Sequence, residues 1–315
     1  MGTSLVLRGT WEDVCERAYE TAQEAREHGL RLTLRAIFYR LTSEGWLVHS
    51  QTAYKRLSAK FARWREKHGL LDIIEDRTRT TIGSASRELP DLDGYVERTL
   101  ESAIWYLENA AWRVPRWYGQ AKYVEIWCEK DALVPMIQAL CDELEVLGFP
   151  SRGYSSVTKM WEAAQRLKSV DAMPVILVLT DWDPSGLDIA RDYSAKLSRY
   201  GLDGFAIERV AITPEQVARY DLPPVPPDDP RFQRVRRDPR YPKFIERCRE
   251  LGLEPFVVEV DAFAGIRPQE FADTIRGAVN RHFDQGTWAK TREVEEKLRA
   301  KAMEMAERLR KMLER

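Results

Sequence analysis

The sequence has little that would mark a secreted or membrane protein. Its four cysteines (Cys15, Cys128, Cys141, Cys248) lie far apart, with no C-x-x-C pair and no histidine near enough to complete a zinc set. They read as reduced, packed thiols of a cytosolic chain. No apolar run approaches the ~20 residues of a membrane span, which predicts no membrane partner. Residues 1–10 lack the basic region and apolar stretch of a signal peptide. Also missing are a Walker-type G-x-x-x-x-G-K-[ST], an H-E-x-x-H and a G-x-S-x-G, which removes several large enzyme classes and any nucleotide-driven motor within the chain. His28, His49, His68 and His282 pair with no Ser or Cys in the manner of a hydrolase triad. Nor is there an excess of one charge: 49 Lys and Arg stand against 50 Asp and Glu. Any nucleic-acid surface must therefore be a local patch.

What is present is globular usage, 44% hydrophobic and 31% charged, over a length of 315 residues that suits two domains. Trp11, Val14, Ala18, Ala22 and Ala25 recur at helical spacing and predict a helix over 11–29, with Gly29 as its C-terminal cap. Thr33 reads as the N-cap of a second helix with Leu34, Ile37, Phe38 and Leu41 on its apolar side. A third, 52–68, carries Tyr54, Leu57, Phe61 and Trp64 and stops at Gly69. Short helices joined by tight turns, then Leu70-Leu71 and Ile73-Ile74, predict a helix-turn-helix or winged-helix unit. Residues 31–87 hold 12 Lys and Arg against 5 Asp and Glu. A basic face on a small helical domain is the electrostatic footprint of a phosphate backbone; the alternative is a solvated surface balanced elsewhere in the fold. A helix over 94–111 and a linker follow.

The pattern then alternates. Strands are predicted at 123–128, 174–180, 205–212 and 256–260, with helices at 133–147 and 187–198 between them. The run 174–180 is almost wholly apolar, as expected of a central parallel strand. This order predicts an α/β sheet with right-handed crossovers. A proline-rich loop covers 222–230, and 231–249 forms a second basic patch with eight Lys and Arg against two acids. Val294, Leu298, Ala302, Met305, Leu309 and Met312 make one stripe of a C-terminal amphipathic helix, packed on the body or on a partner. The expected division is 1–112, helical and DNA-binding; 113–121, linker; 122–286, α/β and metal-binding; 287–315, helix.

Three acids stand where such a sheet binds ligands. Glu129 follows the first strand, and Asp181 and Asp183 follow the most apolar one, in Thr180-Asp181-Trp182-Asp183-Pro184-Ser185-Gly186. Ligands sit in the crevice beyond the carboxyl ends of parallel strands, and oxygen-only donors suit Mg²⁺ or Mn²⁺. Asp183 could instead be an N-cap. Glu125 and Asp131 read as a strand-face residue and a helix cap.

Glu129 with Asp181-x-Asp183 resembles the Toprim domain of topoisomerases, primases and related nucleases. Its context, Glu129-Lys130-Asp131-Ala132 and Asp181-Trp182-Asp183-Pro184-Ser185-Gly186, is most similar to the A subunit of topoisomerase VI and its meiotic double-strand-break relatives. Leu34-Arg35-Ala36-Ile37-Phe38-Tyr39-Arg40 resembles the winged-helix segment of that family whose last Tyr is the nucleophile; Tyr39 takes that position. Tyr54-Lys55-Arg56-Leu57, Ile74-Glu75-Asp76-Arg77-Thr78-Arg79 and Leu222-Pro223-Pro224 are similar to short stand-alone bacterial and phage-type Toprim proteins.

The resemblance implies a winged helix followed by a Toprim domain and a Mg²⁺-dependent, type IIB topoisomerase-like transesterase acting on double-stranded DNA in the nucleoid. Tyr39 would form a phosphotyrosyl link, Glu129, Asp181 and Asp183 would hold metal, and Arg35, Arg40, Lys55, Arg56, Lys60 and Lys130 would contact DNA. It further implies a homodimer in which Tyr39 of one subunit serves the metal site of the other, and a separate ATPase subunit if strands are passed. The chemistry is coherent by itself: Arg35, four residues before Tyr39, shares its helical face and could hold a phosphate or ease ionisation of the phenol. Phe38-Tyr39 could also be core packing with a bonded hydroxyl. The rivals are a Toprim nuclease in which water attacks and a DNA-binding module with no reaction.

Overall fold

The structure, a computed structural model, describes residues 5–70, 72–74, 94–151 and 157–313. Leu71 and the Glu75–Arg79 part of the resemblance lie outside the described residues. Two compact units divide the chain: Met1–Arg77 with Lys122–His282, and Thr78–Ala121 with Phe283–Arg315. The amino-terminal helices thus share a unit with the sheet, and residues 113–121, expected as a linker, belong to the smaller unit.

The first unit opens with α1 (Trp11–Glu27), α2 (Leu34–Ser43) and α3 (Gln51–His68). Thr10, Thr33 and Ser50 cap them, each side-chain oxygen accepting an amide three residues on, and Gly69 closes α3 in the left-handed region at φ 68°. Their apolar stripes, including Val14, Ala18, Ile37, Leu41, Leu57 and Phe61, are buried.

The sheet has β1 (Lys122–Cys128), β2 (Leu147–Pro150), β3 (Met173–Leu179) and β4 (Ala206–Ala211), all parallel in the order β2-β1-β3-β4. This is a Rossmann-like α/β arrangement. After β1 the chain moves to one side and then returns to the other, which puts the switch point between β1 and β3. Helices α5 (Val134–Leu144), α6 (Val157–Lys168) and α7 (Pro184–Arg199) connect the strands. Trp127, Ile176 and Val178 pack with Met160 of α6 and Ile189 and Tyr193 of α7 in one core cluster. Beyond β4 come α8 (Pro214–Tyr220), α9 (Pro230–Arg236), α10 (Tyr241–Glu250), α11 (Val260–Ile266) and α12 (Pro268–Asn280).

Three expectations change. Residues 256–260 are not a strand: Val258 makes a single antiparallel bridge with Trp182, past the end of β3, and α11 starts at Val260. The segment crosses the carboxyl end of the sheet rather than extending it, so only two ladder bonds form, between Trp182 and Val258. In turn Leu147, expected on a helix, opens β2, because Glu145 ends α5 at φ 52°. Pro150 is tolerated because β2 is an edge strand. Asp131, expected as a helix cap, is the first residue of a short 3₁₀ turn instead, with Lys130 at the cap position.

In the second unit α4 (Tyr95–Asn109) packs along α13 (Gln285–Leu313). Arg310 pairs with Glu108 at 2.8 Å, and Gln120 exchanges hydrogen bonds with the Asp284 backbone. Among the described residues no helix is long and apolar enough to cross a membrane.

Candidate active site at the carboxyl end of the sheet

Pairing of β1 with β3 continues one step past both strands. The Glu129 amide donates to the Leu179 carbonyl at 3.2 Å, so Glu129 emerges beside Thr180 and Asp181. Asp183 caps α7, its Oδ1 accepting the Gly186 amide at 2.6 Å with Pro184 in the first turn. The turn is tight enough to demand glycine: a Cβ on Gly186 would lie 2.1 Å from the Asp181 carbonyl oxygen. Asp183 is therefore a cap, as one reading of the sequence held, and also a member of the acidic group.

The three carboxylates act on one another electrostatically. Burial, then the charges of Asp181 and Asp183, push Glu129 up to about 7. Burial and Asp181 push Asp183 up to about 6. Arg209 of β4 sits against them, donating to Thr180 Oγ1 at 2.5 Å and to the Asp181 carbonyl at 2.8 Å. Burial holds this guanidinium down to about 10, against the pull of the three acids, so it stays charged at neutral pH.

A second acidic pair faces the first. Glu259 and Asp261 stand at the start of α11, and Lys130 lies between the two groups, with Nζ 2.8 Å from Asp181, 3.7 Å from Glu259 and 3.9 Å from Asp261. Asp181 is fully engaged, since its Oδ1 also accepts the Val260 amide at 2.8 Å. Asp261 is almost wholly buried, which raises its carboxyl.

Helix α2 brings Tyr39 to this place. It docks on α11 at Gly265, where a Cβ would lie 2.3 Å from the Ala36 carbonyl oxygen, and Tyr39 packs with Ala262 and Ile266. The Tyr39 hydroxyl donates to Glu259 and accepts from Arg231 Nη1 at 3.1 Å. Arg35 reaches Glu259 and Asp261, at 3.4 Å each, with its guanidinium 5.9 Å from the Tyr39 ring centroid. Tyr39 is 3% exposed. Burial, then the Glu259 charge, raise its phenol above the ordinary range, against the opposite pull of Arg35 and Lys130. Burial would raise Glu259 too, but Lys130, the Tyr39 hydrogen bond, Arg231 and Arg35 hold it down at about 2.

The structure thus brings Arg35, Tyr39, Glu129, Lys130, Asp181 and Asp183 to one end of the sheet, within one chain. Within the chain, the Tyr39 hydroxyl meets Glu259 and Arg231. Lys55, Arg56 and Lys60 are not part of it; they lie exposed on the outer face of α3 with Arg63. Arg40 lies apart from these residues, donating to the Ile266 carbonyl at 2.6 Å and pairing with Glu44. Arg209, Arg231, Glu259 and Asp261 were not legible in advance. A signal existed for the last pair, Glu259-Val260-Asp261 being a second acid-x-acid motif, but it was absorbed into an expected strand.

As donors Glu129, Asp181 and Asp183 suit a hard cation in kind. All are carboxylate oxygens, and Glu129 Oε2 is buried with no hydrogen-bond partner among the described residues. As placed, no three of them close into a ligand set among the described residues, and Lys130 occupies Asp181. No protein-family model matches the chain, and no curated protein does.

Proposed function

We propose that this chain is a DNA strand-transesterase of the topoisomerase VI A type, with a winged-helix-type amino-terminal part and a Toprim-type sheet. The observation that carries the reading is the Tyr39 hydroxyl, held between the Glu259 carboxylate and the Arg231 guanidinium at the sheet end that carries Glu129, Asp181 and Asp183. A phosphodiester entering here meets Arg35 and Arg231, cations matched to phosphate. Pairing with phosphate draws them off Glu259, and its basicity rises. As the Tyr39 oxygen bonds to phosphorus, its proton passes to Glu259, the bond to the leaving strand oxygen breaks, and that oxygen takes a proton from solvent. A Mg²⁺ or Mn²⁺ ion held by Glu129 and Asp183 would polarise the phosphoryl oxygens.

A homodimer would set two such sites against the two strands of a duplex in the nucleoid. Passing one duplex through another would need a separate ATPase subunit, since the sequence carries no nucleotide-hydrolysis motif.

The second reading, a nuclease in which water attacks, is favoured by the burial of Tyr39 and its raised phenol. Metal-dependent cleavage of supercoiled DNA, run with and without protease digestion, separates the two. The first reading expects cleaved DNA to carry covalent protein, and Tyr39→Phe to cut nothing. Undiminished cutting by that variant establishes the second.

A further inference from the structure

Beside the Tyr39 hydroxyl lies a cavity of about 680 Å³, formed by α2, the start of α3, the proline-rich loop and α9. Arg35, Arg231 and Arg234 line it together with Asp228 and Asp229, and Asp229 pairs with Arg231 at 2.8 Å. One wall is aromatic: Tyr54 and His49 each meet Phe38 edge-on, at centroid distances of 5.4 and 5.7 Å, and Arg35 stands 5.9 Å from the Tyr54 ring centroid. Both Tyr54 and His49 are only half-buried. Arg231 Nη2 meets His49 Nε2 at 2.9 Å. A guanidinium has only protons to donate, so this nitrogen accepts and the ring is neutral, with its proton on Nδ1. The wall is therefore uncharged and flat-faced, next to three arginines and two aspartates.

We infer that this cavity takes one unstacked nucleotide of a DNA strand, its phosphate against Arg35, Arg231 and the Tyr39 hydroxyl and its base against Tyr54 and His49. The inference rests on the reading of Tyr39 as facing a phosphodiester and adds the form of the substrate. Sites for ligands of nucleotide size run to roughly 300–1,000 Å³, so one nucleotide fits, whereas a stacked run of base pairs does not. The nucleotide next to the scissile phosphate must leave the duplex, or come from a region already single-stranded, as for enzymes that act on an extruded base. Stacking on aromatic side chains makes up for the lost base stack, at roughly 5- to 150-fold in affinity per base.

The test is calorimetric titration of the full chain, without divalent metal, using dAMP, deoxyribose 5-phosphate and inorganic phosphate. The expected result is that dAMP binds about tenfold or more tighter than deoxyribose 5-phosphate. Tyr54→Ala should bring that ratio near one while leaving the sugar phosphate unaffected, and Tyr54→Phe should restore it. Lys159→Ala, exposed on α6, should bind dAMP as the parent does. A short single strand should displace dAMP at lower concentration than the same sequence as a duplex. Equal affinity for dAMP and deoxyribose 5-phosphate, or a ratio indifferent to Tyr54→Ala, overturns the base site. Failure of the single strand to displace dAMP overturns the strand assignment and leaves a free-nucleotide site. None of these readouts needs cleavage. Nucleotide binding by a Tyr39→Phe protein that cuts normally would sink the transesterase and leave the cavity standing; cleavage without nucleotide binding would do the reverse.

Discussion

The hydroxyl of Tyr39 donates to Glu259, 220 positions further along the chain. The same carboxylate stands 3.1 Å from Arg231, 3.4 Å from Arg35 and 3.7 Å from Lys130. One acid thus faces three partly buried cations and orients a phenol.

Glu259→Gln keeps the shape and removes the charge. Leaving those cations with less neutralisation should cost about 2–4 kcal/mol of stability, read from urea denaturation. Tyr39→Phe, which deletes one hydroxyl, should cost no more than about 1 kcal/mol. Equal losses in the two variants would mean that Asp229 and Asp261, not Glu259, hold the cluster.

Glu129 makes the metal-free protein sensitive to pH. Its carboxyl stands at about 7 in the folded chain against an ordinary value of 4.5. A carboxyl raised on folding stabilises fully below its unfolded value, and that stability is lost as pH rises through the folded one. Between pH 4.5 and 7, the metal-free chain should lose roughly 2–3 kcal/mol from this group. Denaturation midpoints against pH check it: Glu129→Gln should flatten the fall over that window, and an unchanged slope would rule out the assignment.

Asp183 has two jobs that separate cleanly. Asp183→Asn keeps an N-cap oxygen and should hold stability near the parent; Asp183→Ala loses the cap and should cost about 1 kcal/mol. If Asp183 also holds metal, both variants should lose the thermal-shift response to Mn²⁺. A response kept in both would leave Asp183 as a cap alone.

Gly265 sets how closely α2 approaches α11. Gly265→Ala puts a methyl against the Ala36 carbonyl and should destabilise by about 1–3 kcal/mol through overpacking. The shift should also displace Tyr39 and abolish cleavage, while duplex affinity survives on α3.

The exposed face of α3 should supply salt-dependent affinity for DNA. Neutralising Lys55, Arg56 and Lys60 together should reduce the slope of log affinity against log salt by about 3 for a duplex if each contacts a phosphate. An unreduced slope would move the DNA surface to the basic residues of α9 and α10.

Thr33 and Gly69 show how much of the helical part was readable. Caps and apolar spacing act over a few residues, so the sequence alone carries them. The same holds for β1, β3 and β4, and for Glu129 and Asp181, because strand ends in a parallel sheet are local features whose common destination follows from topology. The segment 256–260 misled for the same reason turned round. Its apolar residues satisfy a strand pattern, but only its place across the sheet end decides that it forms one bridge and then a helix.

Local pattern determined by itself the α/β class, the first three helices and three of the acids at the sheet end. Tertiary structure decided what those acids meet. Lys130 against Asp181, Arg209 beneath them, Glu259 and Arg231 around the Tyr39 hydroxyl, and Arg40 turned inward to Ile266 are all contacts between distant parts of the chain. Such contacts depend on how α2 docks on α11 and how the chain recrosses the sheet. Charge and hydrogen-bonding energies depend on distances of a few ångströms, and sequence separation does not encode those distances.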